Sequence, residues 1–164
     1  MKIVVMGEPI AQPRQRHRIS GRGQKAFVQN YVSQDHPVHA YKRAIQIQAQ
    51  FARRRGQQIF LGPLVVELLF VMPRPQALMW KTKPMPRRQH LQKPDIDNLS
   101  KAVFDALNEL IWKDDSQVIE LHASKWIASG SEQPRVEIEI SEIEEPSLLL
   151  AANKSDSQTA TGPS

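Results

Sequence analysis

Residues 64–72 read LVVELLFVM, an almost continuous apolar run that only Glu67 interrupts. A strand with one solvated face alternates between apolar and polar residues, and this run shows no such alternation. The run is also far too short to cross a membrane. It therefore predicts a strand that is buried on both faces inside a folded core.

A helix and two further strands are predicted downstream of this run. Apolar residues lie three, four, seven, eight and eleven positions after Leu99, ending at Leu110, and this spacing is typical of one face of an amphipathic helix. Apolar and other residues alternate in 119–127 and again in 136–140, which predicts two strands. The stretch Ser129 to Gln133 (SGSEQ) predicts a hairpin between them.

Upstream, Lys2 to Met6 (KIVVM) predicts a strand, and Gln12 to Gln24, which Pro and Gly interrupt, predicts a loop. Val38 to Arg55 has helical apolar spacing and ends before Gly56, a suitable residue after a helix. The triplet Arg53-Arg54-Arg55 lies in the expected last turn, where cations suit the helix dipole. Helix capping and phosphate contact are therefore both open interpretations of this triplet.

The element order β-α-β-α-β-β predicts a single α/β domain with a mixed β-sheet over residues 1–143, a size that suits one domain. Residues 144–164 contain little to bury, so we expect a disordered tail. The chain has no cysteine, which excludes disulfide frameworks, thiolate nucleophiles and cysteine-ligated zinc. Neither a signal peptide nor a membrane-spanning run is evident, so we expect an intracellular, cytoplasmic protein with no membrane partner.

Charge is divided unevenly along the chain. Residues 1–94 hold 17 Lys or Arg and three acidic residues, which gives a net charge of +14. Residues 95–164 hold five Lys or Arg and 14 acidic residues, which gives a net charge of −9. A basic half favours binding to nucleic acid, although a solvated surface with segregated charges is the alternative. The candidate DNA-binding residues lie in the N-terminal loop and in the long basic loop 73–93: Arg14, Arg16, Arg18, Arg74, Lys81, Lys83, Arg87, Arg88 and Lys93.

The candidate catalytic carboxylates fall in two clusters. Asp95 and Asp97 stand two residues apart in a stretch expected to be extended after Pro94, so their side chains should point to the same face. Asp114 and Asp115 follow the predicted helix and open the next strand, where adjacent residues face opposite ways. Asp115 shares parity with the apolar positions 119 and 121, which should meet the helices, so it is the better partner for the first cluster.

Three carboxylates without a cysteine or histidine partner form a hard oxygen site, which favours Mg²⁺, with Mn²⁺ as an alternative. Lys101 lies four residues after Asp97 and four before Asp105, and could neutralise the site or hold a scissile phosphate. Simpler roles remain open: an ion pair between Lys101 and Asp105, helix N-capping by Asp97 or Asn98, and a polar turn at 114–115.

One continuous stretch resembles the RusA-type Holliday junction resolvases of bacteria and their phages: KPDIDNL (93–99), KA (101–102), DALN (105–108) and DDSQV (114–118). The resemblance implies a RusA-like fold and a homodimeric, Mg²⁺-dependent endonuclease that cuts four-way DNA junctions symmetrically. It implies that Asp95, Asp97 and Asp115 are catalytic acids and metal ligands and that Lys101 is the functional lysine. Neither the loop 73–93 nor the tail after Ile143 belongs to the matching stretch.

The sequence therefore favours a structure-selective DNA endonuclease that acts on branched DNA. The residues by themselves are also compatible with two other functions. One is a nucleic-acid-binding module without catalysis, which the basic half by itself would support. The other is a metal-dependent nuclease that acts on ordinary duplex or flap DNA.

Overall fold

The computed structural model describes residues 1–13, 16–20, 27–31, 33–53 and 58–143, with the backbone alone for 16–20 and 27–31. Its strands and helices, in chain order, are β1 (Lys2–Met6), β2 (Arg16–Ser20), β3 (Phe27–Tyr31), α1 (Val38–Ala52), β4 (Leu64–Met72), β5 (Arg88–Gln89), α2 (Ile96–Leu107), β6 (Val118–Ile127) and β7 (Arg135–Glu142). None of the helices in these ranges is long and apolar enough to span a membrane.

The five-stranded sheet has the order β1-β7-β4-β6-β5. β4 runs parallel to β6 and antiparallel to β7, and β1 pairs antiparallel with β7. The crossover from β4 to β6 passes through β5 and α2, so α2 begins near the carboxyl ends of these strands and finishes near their amino ends. The predicted mixed-sheet α/β domain is confirmed.

The core lies between one face of the sheet and the two helices. On β4 this face consists of alternating buried residues from Leu64 to Met72, which pack against Tyr41 and Ile45 of α1. On the opposite face Glu67 is exposed, Val65 and Leu69 are half-buried, and only Val71 is fully buried. The prediction that β4 is buried on both faces therefore holds at Val71 and is wrong for the rest of the strand, because the two helices contact each other on the same side of the sheet.

The predicted hairpin at Ser129–Gln133 is also wrong, since β6 and β7 do not pair. β4 lies between them and bonds to both, with Leu68 opposite Ala123 on one side and Ile138 on the other. A strand as apolar as β4 gains most from a position with a neighbour on each edge. The short link between β6 and β7 therefore crosses the end of β4.

The predicted loop at Gln12–Gln24 contains a strand. Arg16–Ser20 pairs in antiparallel register with Phe27–Tyr31, which forms a separate two-stranded sheet. The sequence does not predict this strand because Arg16–Ser20 shows no alternation of apolar and polar residues. The strand forms through backbone pairing with Phe27–Tyr31 instead. Helix α1 ends at Ala52 with Arg53 as its C-cap, while Arg54 to Gly56 and the tail 144–164 lie outside the described residues.

Candidate active site

Helix α2 begins at the first pair of predicted carboxylates. Asp95 is its N-cap residue with extended backbone angles (φ −74°, ψ 145°), and Asp97 lies in its first turn. Both side chains line one groove, together with His90, Lys93 and Lys125. The N-terminus of α2 adds partial positive charge to this groove. The predicted extended stretch is present at Asp95 but wrong at Asp97, which lies inside the helix, and a shared site for the two acids stays a prediction.

Helix capping does not account for these two acids. The side chain of Asp95 makes no capping hydrogen bond to the first turn. Asp97 Oδ1 accepts a long bond, 3.3 Å, from the neighbouring Asn98 Nδ2 rather than from a backbone amide. Neither of these two acidic side chains therefore caps α2.

Lys101 lies one turn beyond Asp97 on the exposed side of α2. The simpler interpretation of Lys101, an ion pair with Asp105, is wrong. Asp105 bonds instead to Lys42 of α1, with 2.7 Å between Nζ and Oδ2. Within the described ranges Lys101 forms no salt bridge, so its ammonium remains available beside the site.

Asp115 lies at the opposite end of α2, in a short 3₁₀ turn over Asp115–Gln117 that precedes β6. Its Oδ1 accepts a 2.8 Å hydrogen bond from the indole Nε1 of the buried Trp112. The Gln117 side chain donates to the carbonyls of Phe60 and Gly62, just before β4. These contacts hold Asp115 near the amino ends of β4 and β6.

The strand-parity argument for Asp115 is wrong, although Asp115 and Asp114 do differ in environment. Asp115 is not part of β6, and the register of β6 shifts at its first residues. Asp114 caps the turn, since its side chain accepts from the Ser116 amide at 2.8 Å. Hydrogen bonding to the Ser116 side chain, followed by that to the Ser116 amide, lowers the pKa of Asp114. Leu121, at the supposed buried face, is 44% exposed, because it lies beyond the cover of the helices.

The two carboxylate clusters lie near opposite ends of β6. Asp95 adjoins Lys125 near the carboxyl end of β6, because the Lys125 ammonium donates to the Pro94 carbonyl at 2.6 Å. Asp115 precedes Val118, the first residue of β6, and the seven steps from Val118 to Lys125 span about 23 Å. In the ranges that the structure describes, no three His, Asp or Glu side chains are grouped so as to hold a metal ion.

The carboxylates in the groove nevertheless suit Mg²⁺. This ion keeps several waters and binds through one or two carboxylates together with substrate phosphates, rather than in an all-protein cage. Asp95 and Asp97 supply two hard oxygen donors in one open groove. The chemistry of these two donors thus fits Mg²⁺, while the metal itself and the role of Asp115 as a third ligand stay predictions.

Two of the predicted DNA-binding arginines are engaged inside the protein. The Arg74 guanidinium donates to the carbonyls of Leu78, Pro86 and Ala128. Arg87 forms a salt bridge with Glu132, which raises the pKa of Arg87 and lowers that of Glu132. The other predicted DNA-binding residues of the basic loop are exposed: Lys81, Lys83, Arg88 and Lys93. Arg14 lies outside the described residues, and only the backbone of Arg16 and Arg18 is described.

We predict that Arg74→Met lowers protein stability by about 2–3 kcal/mol, because the carbonyls of Leu78 and Ala128, in part-buried bonds, and the exposed carbonyl of Pro86 lose a charged donor. Thermal unfolding followed by circular dichroism measures this loss. Lys81→Met is the matched control, since it removes the same charge from an exposed position in the same loop. Equal melting temperatures for Arg74→Met and the wild type would contradict the internal role of Arg74.

Lys125 and His90 are groove residues that the sequence reasoning missed. Lys125 pairs with the buried Phe70 in the parallel register and so shares its helix-facing side. The sequence did contain one signal for Lys125: it occupies a position of β6 where the alternating pattern would place an apolar residue. Burial, followed by the charge of Lys125, lowers the pKa of His90 below its ordinary value. No sequence pattern distinguishes His90.

Comparison with known proteins identifies the family. The family model for endodeoxyribonuclease RusA matches residues 7–141, which is most of the chain and includes both carboxylate clusters. The chain is also 34% identical over 148 residues to the uncharacterized protein YqaN of Bacillus subtilis (strain 168), with 87% of this chain and 96% of that protein covered. The chain therefore belongs to the RusA endodeoxyribonuclease family.

Proposed function

We propose that this protein is a Mg²⁺-dependent endonuclease that resolves four-way DNA junctions by symmetric phosphodiester hydrolysis. The observation that carries the proposal is the groove at the start of α2, where Asp95 and Asp97 lie together and Lys101 follows one turn later. The family match supports an endodeoxyribonuclease, and metal-assisted hydrolysis of a phosphodiester would use hard oxygen ligands and a cation near the phosphate, for which these residues are suited. We infer that the enzyme acts in the cytoplasm, in DNA recombination and repair.

The two groove acids and Lys101 have distinct tasks in this mechanism. Asp95 and Asp97 would hold the metal and orient the attacking water. When bound, Mg²⁺ would supply Lewis-acid activation of that water and of a phosphoryl oxygen. Lys101 offsets the negative charge that develops on the phosphate in the transition state. Mn²⁺ is expected to substitute, because it prefers the same oxygen ligands.

We infer that the working enzyme is a homodimer in which a second copy supplies Asp115. One copy alone leaves Asp115 near the other end of β6 from Asp95. Leu121, on the helix-facing side of β6, lies between those ends and is 44% exposed, and Ile96 at the start of α2 is 37% exposed. A two-fold axis through this stretch would bury these side chains and bring each copy's Asp115 towards its partner's Asp95.

Two-fold symmetry also suits the substrate. A four-way junction offers two equivalent strands for cutting, and a dimer with isologous contacts carries two equivalent sites. Sedimentation of the active protein tests the dimer directly. A monomer with full activity at assay concentration would overturn it.

The experiment for the proposed function compares a synthetic four-way junction with a linear duplex of the same sequence, each with Mg²⁺. Paired nicks confined to the junction support junction resolution. Equal cleavage of both substrates would favour a general metal nuclease, and binding without product would favour a binding module. Replacement of Mg²⁺ by Ca²⁺ gives the matched binding measurement, because Ca²⁺ shares the oxygen ligands but not the octahedral geometry that Mg²⁺ demands.

Junction affinity should depend strongly on salt. If about six phosphates are neutralised by the basic half, log K falls with log salt at a slope near −5. Lys83→Met should make the slope shallower by about one, because Lys83 is exposed in the basic loop. Titrations at several potassium concentrations measure the slope. A wild-type slope shallower than about −2 would show that the basic loops do not contact phosphates.

A further inference from the structure

The Lys125 ammonium joins the sheet to the segment that precedes Asp95. Its Nζ donates to the Gln92 carbonyl at 2.7 Å and to the Pro94 carbonyl at 2.6 Å. Both are short for bonds from an ammonium to a neutral carbonyl and leave one of its three N–H donors. Lys125 itself belongs to β6, which pairs along its whole length with β4. The backbone of Lys125 is thus held within the sheet by its pairing with β4.

The acceptors lie in a segment with little other support. Residues 91–93 are exposed and belong to no helix or strand. Before them, the two-residue strand β5 pairs with β6 at Arg88 and Gln89, and the His90 amide donates a long bond, 3.4 Å, to the Lys125 carbonyl. Asp95 follows directly, and the position of its carboxylate depends on where this segment enters α2. The two bonds from Lys125 therefore set the place of Asp95 relative to the sheet.

Coulomb attraction to a carboxylate does not explain the position of Lys125. In the part of the chain that the structure describes, this lysine forms no salt bridge. Its ammonium is held instead by the partial negative charge of two carbonyl oxygens, and both of these belong to the segment that precedes Asp95.

We propose that Lys125 is a positioning residue for the metal-binding carboxylates: its bonds to Gln92 and Pro94 hold Asp95 in the geometry that Mg²⁺ and the scissile phosphate require. The proposal rests on the proposed endonuclease function for its catalytic consequence, but the tether itself can be measured without metal or DNA. Lys125 acts through Asp95 and is not assigned contact with the substrate.

The decisive variants are Lys125→Met, which keeps the length of the side chain without its donors, and Lys125→Arg, which keeps charge and donors. Lys2→Met is the control for the loss of one lysine. Lys2 lies on β1, its side chain is 60% exposed, and its nearest carboxylate oxygen, on Glu137, is 3.7 Å away. If Lys125→Met does not fold, Lys125→Gln takes its place, because an amide retains a neutral donor at nearly the same reach.

The first measurement is NMR on the metal-free protein. We expect the backbone order parameters of Gln92, Lys93 and Asp95 to fall from about 0.85 to below about 0.6 in Lys125→Met. In Lys125→Arg and Lys2→Met they should stay near the wild-type values. The same samples titrated with Mg²⁺ should show a dissociation constant several-fold higher for Lys125→Met alone.

The second measurement is junction cleavage at saturating DNA. Lys125→Met should cut about tenfold more slowly and require several-fold more Mg²⁺ for half-maximal rate, while Lys125→Arg stays within about threefold of the wild type. Unchanged order parameters and Mg²⁺ affinity in Lys125→Met would overturn the proposal. Weaker junction binding with an unchanged saturating rate would overturn it too, because Lys125 would then be a phosphate contact. A wild type that cuts no DNA would remove the proposed function, and the metal-free NMR comparison would still decide the tether.

Discussion

Asp97→Asn is expected to cut four-way junctions about a thousandfold more slowly than the wild type. Replacing a carboxylate by an amide removes one formal charge from the two-carboxylate groove, which weakens Mg²⁺ binding and misplaces the attacking water. A loss of about 4 kcal/mol of transition-state stabilisation corresponds to that factor. Single-turnover cleavage of a labelled junction measures it.

The fold and the affinity for DNA should survive this change. Asp97 makes no capping bond, and loss of its favourable interaction with the dipole of α2 costs about 0.3–1 kcal/mol of stability. Junction affinity in metal-free buffer should be unchanged or slightly tighter, because one acid fewer repels the phosphates. Binding that weakens in parallel with cleavage would point to a folding defect rather than to a lost ligand.

Four further substitutions form the matched set. Asp95→Asn and Asp115→Asn should be as slow as Asp97→Asn. Asp114→Asn should be milder, since asparagine caps a turn about as well as aspartate. Asp105→Asn should also be milder, and its effect should be on stability, because Asp105 is paired with Lys42 between the two helices. Asp97→Asn at near wild-type rate, or Asp114→Asn as inactive as Asp115→Asn, would show that the metal ligands are wrongly assigned.

Mixing two inactive variants is expected to restore cleavage. If Asp115 acts in the site of the partner copy, a heterodimer of Asp97→Asn with Asp115→Asn has one doubly altered site and one intact site. Random exchange of an equal mixture makes about half of the dimers mixed, so about a quarter of the sites should be active. This restores activity by more than a hundredfold over either variant alone. The mixed dimers should nick one strand of the junction, whereas the wild type makes paired cuts.

The control for this experiment mixes Asp95→Asn with Asp97→Asn. Every site in that heterodimer carries one altered ligand, whichever copy supplies Asp115, so no activity should return. Copies that differ in mass by a tag show by native mass spectrometry that subunits have exchanged. If mixed dimers of Asp97→Asn and Asp115→Asn are present and remain inactive, Asp115 does not act across the dimer.

The sequence by itself determined the parts that depend on local pattern. The period of the apolar residues from Leu99 to Leu110 predicted α2, and the motif around Asp95 and Asp97 placed two carboxylates at its start. Helical periodicity acts over a few neighbouring residues, and so does the backbone restriction at Pro94. Both features are present in the fold, although α2 ends at Leu107 rather than at Leu110, and the predicted strands β1, β4, β6 and β7 are present too.

The tertiary structure decided which residues meet across long distances in the chain. It inserted β4 between β6 and β7, engaged Arg74 with carbonyls of the loop and of Ala128, and directed Lys125 to the segment before Asp95. It also separated Asp115 from Asp95, although strand parity had suggested that they meet. Alternation along a strand indicates which face a side chain occupies, but not which end of the sheet it lies at. That depends on the direction and the neighbours of each strand, which pairing with distant segments sets.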